Sequence, residues 1–265
     1  MTLFTIIIIS IVQGLTEFIP VSSSGHLVLV PKLLNLQDQG LIMDLAVHIG
    51  TLFAVLVYYY KDIWQIAMGC IFWKDKRRTS SRNLGIYIVL ATIPAIIFGF
   101  AIHVMIPEGI RDIRIIVATT IIFGALMGLV DKYCFSEKKI SEINLKSAMV
   151  IGFAQVLALI PGTSRSGVTM TAGRFLGFSR VDAARFSFLL SVPATAGAGA
   201  LGVFDVIQSG NTQMGIDMLL AIIFSFFAGL LAISIMMNWL KRFGLMPFAI
   251  YRLILGFAIL AFMLI

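Results

Sequence analysis

Charge is scarce in this chain of 265 residues: Asp, Glu, Lys and Arg make up 12% of it, against 59% hydrophobic residues. A soluble domain carries roughly twice that charged fraction, so there is too little polar surface to coat a water-soluble globule. Cysteine is nearly absent. Cys70 and Cys134 lie far apart, which excludes a disulfide framework and any metal-ligand spacing; they are expected to be packing residues. The apolar runs are long and continuous rather than alternating, which disfavours a transmembrane barrel. The N-terminus has no basic leader, and Glu17 and Pro20 stand where a small-residue cleavage site would follow, so no signal peptide is expected. What is present is length and apolarity, with a mean hydropathy of +1.00. The fold class is therefore an all-α polytopic membrane protein, a single integral membrane domain over 1–265.

Six stretches meet the roughly 17–25 residues that a helical span requires; they run about 42–60, 84–106, 113–131, 183–205, 217–239 and 248–265. Two more apolar stretches, 3–31 and 147–178, are broken near the middle by Pro20-Val21-Ser22-Ser23-Ser24-Gly25 and by Pro161-Gly162-Thr163-Ser164-Arg165-Ser166-Gly167. Neither half of either stretch is long enough to span. Because freed backbone groups cannot face lipid, both are expected to be re-entrant helical hairpins.

The two halves of the chain resemble each other. QGLTEFIPVSSSGH from Gln13 and QVLALIPGTSRSG from Gln155 share a Gln, an apolar half-helix, Ile-Pro and a hydroxyl-and-glycine turn. This reads as a repeat of about 1–132 and about 147–265, each copy with one hairpin and three spans. Three crossings is odd, so the copies are inverted, a known membrane architecture. The charges agree. Lys61, Lys74, Lys76, Arg77, Arg78, Arg82, Lys132, Lys138, Lys139, Lys146, Arg174, Arg180, Arg185, Lys241 and Arg242 all fall on one side. The other side holds Lys32, Arg111 and Arg114, with no Lys or Arg in 206–216. The basic side is cytoplasmic. A net charge of +7 thus reflects orientation rather than nucleic-acid binding.

Ionisable groups inside hydrocarbon are expensive and functional by default. Glu17 and His26 lie in the first broken segment and Arg165 in the second. If the breaks meet at the midplane, these groups share one polar pocket. Gln13 and Glu17, four apart, project from one helix face and suit a hard cation such as Mg²⁺ or Ca²⁺; a polar stripe between helices would have the same spacing. Ser22, Ser23, Ser24 and Gly25 supply a cap and free N–H groups for an anion. Gly162, Thr163, Ser164, Ser166 and Gly167 match them, with Arg165 adding bidentate phosphate contact. His26 has the chemistry of an acid, base or nucleophile. His48 is expected to be structural and His103 interfacial, as are Asp44, Asp205 and Asp217. Arg252 is expected to be a snorkelling anchor near the inner end of the last span.

At these motifs the chain resembles the undecaprenyl-diphosphate phosphatase family of the bacitracin-resistance type. The resemblance rests on Gln13–Glu17, Pro20–His26, Pro161–Gly167, Phe186–Pro193 and Pro247–Arg252. It implies hydrolysis of undecaprenyl diphosphate to the monophosphate and inorganic phosphate in the bacterial inner membrane. This recycles the lipid carrier for peptidoglycan synthesis and confers bacitracin resistance. It also implies a divalent cation and a site open to the extracytoplasmic side. Gln13 and Glu17 then form an (E/Q)xxxE pair for the metal, with an amide where the acidic version has a second carboxylate. Ser23 and His26 form a Ser–His turn, and Ser164 and Arg165 the arginine-bearing turn. Ser23 is the expected nucleophile, with His26 as acid or base; attack by His26 itself is the alternative. A transporter or flippase for a phosphorylated lipid or small anion is the rival function. The lipid substrate and membrane lipids are the expected partners, and the oligomeric state is open between monomer and homodimer.

Overall fold

The computed structural model describes residues 1–34, 40–105, 112–135, 137–209 and 212–264. Eleven α-helices make up nearly all of it: α1 Leu3–Phe18, α2 Ser23–Leu33, α3 Gly40–Tyr58, α4 Tyr60–Ile71, α5 Thr79–Met105, α6 Ile113–Tyr133, α7 Leu145–Val156, α8 Arg165–Phe175, α9 Arg180–Ser209, α10 Thr212–Leu240 and α11 Met246–Leu264. Among the described residues there is no strand, only an isolated bridge between Lys138 and Phe178. Arg111 and residues 210 and 211 lie outside the described residues, as do the side chains of Lys32, His103 and 201–214, Asp205 among them.

Both breaks expected from Pro and Gly are present. The first stretch is α1 and α2. Thr2 caps α1 by accepting from Thr5 N at 3.2 Å, and the helix stops at Phe18, two residues before Pro20. The second is α7, a 3₁₀ turn at Leu157–Leu159, and α8. Four helices, α5, α6, α10 and α11, are long and apolar enough to cross a membrane, and α3 with α4 forms a fifth candidate bent by 78°. The chain is a polytopic helical membrane protein. The expected span at 183–205 falls in α9, which has 30 residues, about 45 Å at helical rise. It is less apolar because it packs inside the molecule, with Ala183, Ala184, Phe186, Phe188, Leu189 and Leu190 all buried. The sequence left 60–71 as a loop because Lys61 and Asp62 interrupt it. These residues form α4, which is amphipathic and leaves Trp64 and Ile71 exposed.

The helices pack in matched pairs. α1 lies on α10, as α7 lies on α5; α3 packs on α9, and α6 on α11. Two copies of one unit facing opposite ways would pack in this way. Small residues let the backbones close up. A Cβ on Gly14 would sit 2.4 Å from the Ala228 Cβ, and one on Gly152 only 2.3 Å from the Ala91 carbonyl oxygen. On the basic side, buried Asp131 accepts from Arg180 Nε at 2.7 Å and Leu245 N at 2.8 Å. Arg174 Nε adds an ion pair at 3.5 Å. This cluster ties the end of α6 to the α8–α9 and α10–α11 turns.

Candidate active site

Gln13 and Ser22 are nine residues apart, as are Gln155 and Ser164. Ser22 and Ser164 are the two non-glycine residues with positive φ among the described residues, at 77° and 69°. Each serine accepts from a backbone N–H three residues on: Gly25 N at 3.4 Å for Ser22, Gly167 N at 3.2 Å for Ser164. The left-handed backbone is unfavourable for a side-chain-bearing residue, of order 1–3 kcal/mol, and such strain gathers at functional sites. Here it reverses the chain so that the next residue points back at the break. In the first hairpin that residue is Ser23, in the second Arg165.

Both meet at Glu17, which is buried at 8% exposure. Arg165 Nη2 donates to Glu17 Oε1 at 2.7 Å. Ser23 Oγ donates to Oε2 at 2.7 Å, and Gln13 Nε2 to the same oxygen at 3.0 Å. Arg165 is held from behind by the Ser187 carbonyl at 3.2 Å. The hairpins therefore join through one carboxylate that is charge-compensated and hydrogen-bonded, the condition under which a buried charge is tolerated. Phe18 and Phe188, edge to face at 5.3 Å, pack beside it.

His26 stands apart from this cluster. Its Nδ1–H donates to the Ser22 carbonyl at 2.7 Å, which leaves Nε2 of the neutral ring to accept from Tyr251 Oη, also at 2.7 Å. His48, expected to be structural, reaches the cluster instead. Its Nδ1–H donates to the Asp44 carbonyl at 2.6 Å, and Nε2 faces Glu17 Oε2 at 3.7 Å.

The second turn is filled from behind. Arg252 is fully buried, at 0% exposure, and is no snorkelling anchor. Its Nη2 donates to the Gly162 carbonyl at 2.8 Å and its Nε to the Thr120 carbonyl at 3.3 Å. Thr119 Oγ1 donates to the Pro161 carbonyl at 2.6 Å. Arg252 Nη1 has no hydrogen-bond partner. The sequence signal was there, because a cation seven residues into a 19-residue apolar helix is functional by default. The expected ligand groups thus divide by accessibility. Ser23, Ser24, His26 and Arg165 are accessible, whereas Ser22, Gly25, Gly162, Thr163, Ser164, Ser166 and Gly167 are buried. The first turn presents Ser23, Ser24 and His26, and the second presents Arg165.

A guanidinium aimed at a carboxylate, a hydroxyl hydrogen-bonded to that carboxylate, and two helix N-termini are the kinds of group that phosphoryl chemistry uses. The sequence model described as "Bacitracin resistance protein BacA" matches residues 6–258. The chain is 46% identical over 263 residues to a protein of Alteromonas mediterranea named undecaprenyl-diphosphatase, covering 99% of each. It is 42% identical over 285 residues to one of that name from Erythrobacter litoralis, covering 99% of this chain and 100% of the relative. A third, from Alcanivorax borkumensis, is 44% identical over 261 residues, 97% of each chain.

Proposed function

The chain belongs to the bacitracin resistance protein BacA family, and on that premise we propose that it hydrolyses undecaprenyl diphosphate to undecaprenyl phosphate and inorganic phosphate. The enzyme works in the bacterial inner membrane, with its site open to the extracytoplasmic side, and recycles the lipid carrier for peptidoglycan synthesis. The observation that carries the reading is Ser23 Oγ at 2.7 Å from Glu17 Oε2, with Arg165 on the same carboxylate from the opposite hairpin.

Ser23 Oγ attacks the terminal phosphorus. Its proton passes to Glu17 Oε2, the anhydride P–O bond breaks, and undecaprenyl phosphate leaves. Arg165 moves from carboxylate to phosphoryl oxygens, where charge is spread in the transition state. Water then cleaves the phosphoserine, releasing inorganic phosphate and returning the proton to Ser23. The serine's immediate base is therefore Glu17 rather than His26, because His26 has both ring nitrogens engaged elsewhere.

Among the described residues no three His, Cys, Asp or Glu gather as a metal cage, and Arg165 already balances Glu17. A divalent cation fits only if substrate oxygens complete its shell, which is how Mg²⁺ is commonly held. Gln13 Oε1, buried without a partner, and Glu17 would be the protein's share. When bound, the cation neutralises diphosphate charge.

The test is phosphate release from undecaprenyl diphosphate by purified protein in detergent, with and without Mg²⁺ or Ca²⁺. Ser23→Ala and Arg165→Ala should each lower kcat about 10²–10⁴-fold. Rapid quench should trap phosphoserine; phosphohistidine would sink the assignment. No release from folded wild type would move the reading to transport.

A further inference from the structure

On the basic side, far in sequence from the hairpin breaks, a cavity of about 590 Å³ opens between α4, α5 and α9. Lys76, Arg77 and Arg185 line it, with Ser80 and Ser81 from the first turn of α5. Asp62 is its one acidic wall residue and is held by Arg185. The walls therefore carry a net charge of +2, three cations less one carboxylate. Lys76 and Arg77 have no ion-pair partner among the described residues, and Arg185 Nε has no hydrogen-bond partner. Their neighbours differ: Arg78 sits over Phe72 at 5.4 Å and Arg82 over Trp73 at 4.6 Å.

Tyr87 of α5 and Ile143 before α7 line the inner wall of the cavity. One turn further along α5 an apolar groove of about 500 Å³ begins, walled by Leu90, Ile93, Ile97, Leu145, Met149 and Phe153. It runs between α5 and α7 for about 12 Å of helix rise. Trp64 on α4 and Trp73 in the loop before α5 are exposed, as aromatic side chains at a membrane–water interface are. A cationic, hydroxyl-lined cavity whose α5 wall lies one helix turn from an apolar groove has the polarity of an amphiphile with an anionic head.

We propose that this cavity binds the phosphate headgroup of an anionic glycerophospholipid, with one acyl chain lying in the α5–α7 groove. Basic pockets between spans recognise such heads through charge, worth about five-fold in affinity per cation. The chain in the groove adds area-dependent burial.

Full-length purified protein in detergent is titrated with dioleoyl phosphatidylglycerol, dioleoyl phosphatidylcholine, dihexanoyl phosphatidylglycerol, inorganic phosphate and undecaprenyl phosphate, with bound lipid counted by native mass spectrometry. Dioleoyl phosphatidylglycerol should bind at least ten-fold tighter than the choline lipid or the short-chain form. The double variant Lys76→Gln/Arg77→Gln should weaken it roughly twenty-five-fold. The control Lys241→Gln/Arg242→Gln, which removes two exposed charges in the α10–α11 turn, should leave it within two-fold. Phosphate release should be unchanged in both. Equal binding of the two dioleoyl lipids, equal losses in the two double variants, or competition by inorganic phosphate alone overturns the proposal. So does a Lys76→Gln/Arg77→Gln effect confined to undecaprenyl phosphate.

Discussion

Arg252 has no carboxylate partner among the described residues and sits at the back of the second hairpin turn. Its donors reach the Gly162 and Thr120 carbonyls, a spread that a planar guanidinium covers and a single ammonium cannot. Arg252→Lys should therefore lower kcat about 10–100-fold while shifting the melting temperature by only a few degrees, as read by phosphate release and thermal unfolding. The neighbouring Tyr251→Phe keeps the ring stacked on His26 and removes one donor. It should lower kcat by about five-fold, the worth of one hydrogen bond. At Glu17 the effect should be larger: Glu17→Gln strands Arg165 and deprives Ser23 of its base, with a loss of 10²-fold or more in the same assay. Glu17, Ser23, His26 and Arg165 were legible because charge and hydroxyl inside hydrocarbon are rare. The roles of Arg252 and His48 were not. Hydropathy gives a residue's depth but not its rotation about the helix axis, and rotation turned Arg252 towards α6 and His48 towards Glu17.

At the scale of elements, proline and glycine announced both breaks, and among the described residues four of the six expected spans, with α3–α4 as a bent fifth, fell where apolar length put them. Helix α4 was missed because its charged face interrupts the apolar pattern, and α9 is less apolar than a lipid-facing span because its neighbours cover it. Close approach fixes the small residues between elements. Gly14→Ala would drive a Cβ to 2.4 Å from that of Ala228, prising α1 from α10. Overpacking of this kind typically costs 1–3 kcal/mol, and thermal melts of the purified variant would register it. The Asp131 cluster behaves in the opposite sense. Asp131→Ala leaves Arg174 and Arg180 facing each other without their carboxylate, so a loss of about 3–5 kcal/mol is expected. It should appear as a lower melting temperature with the Glu17 centre otherwise intact.

Across the whole molecule, α1 packs on α10 and α7 on α5, and the two breaks meet at Glu17, the condition on which the sequence reading of one shared polar pocket rested. Charge placed the basic loops on one side, and all three tryptophans, Trp64, Trp73 and Trp239, belong to helices or loops near that side. Cys70 is exposed on α4, so it reports that orientation directly. In a Cys134→Ser background an impermeant maleimide should label it in inverted vesicles and spare it in intact cells; labelling from outside would reverse the topology. Helix α11 gives the assembly a direction in time. Glu17, Ser23 and Arg165 have all left the ribosome some eighty residues before Tyr251 and Arg252 emerge, yet those two grip both hairpin turns. A nascent chain halted at the α10–α11 turn thus carries the reactive groups without the element that aligns them. The contacts that hold the two turns from behind are complete only once the final helix is in place.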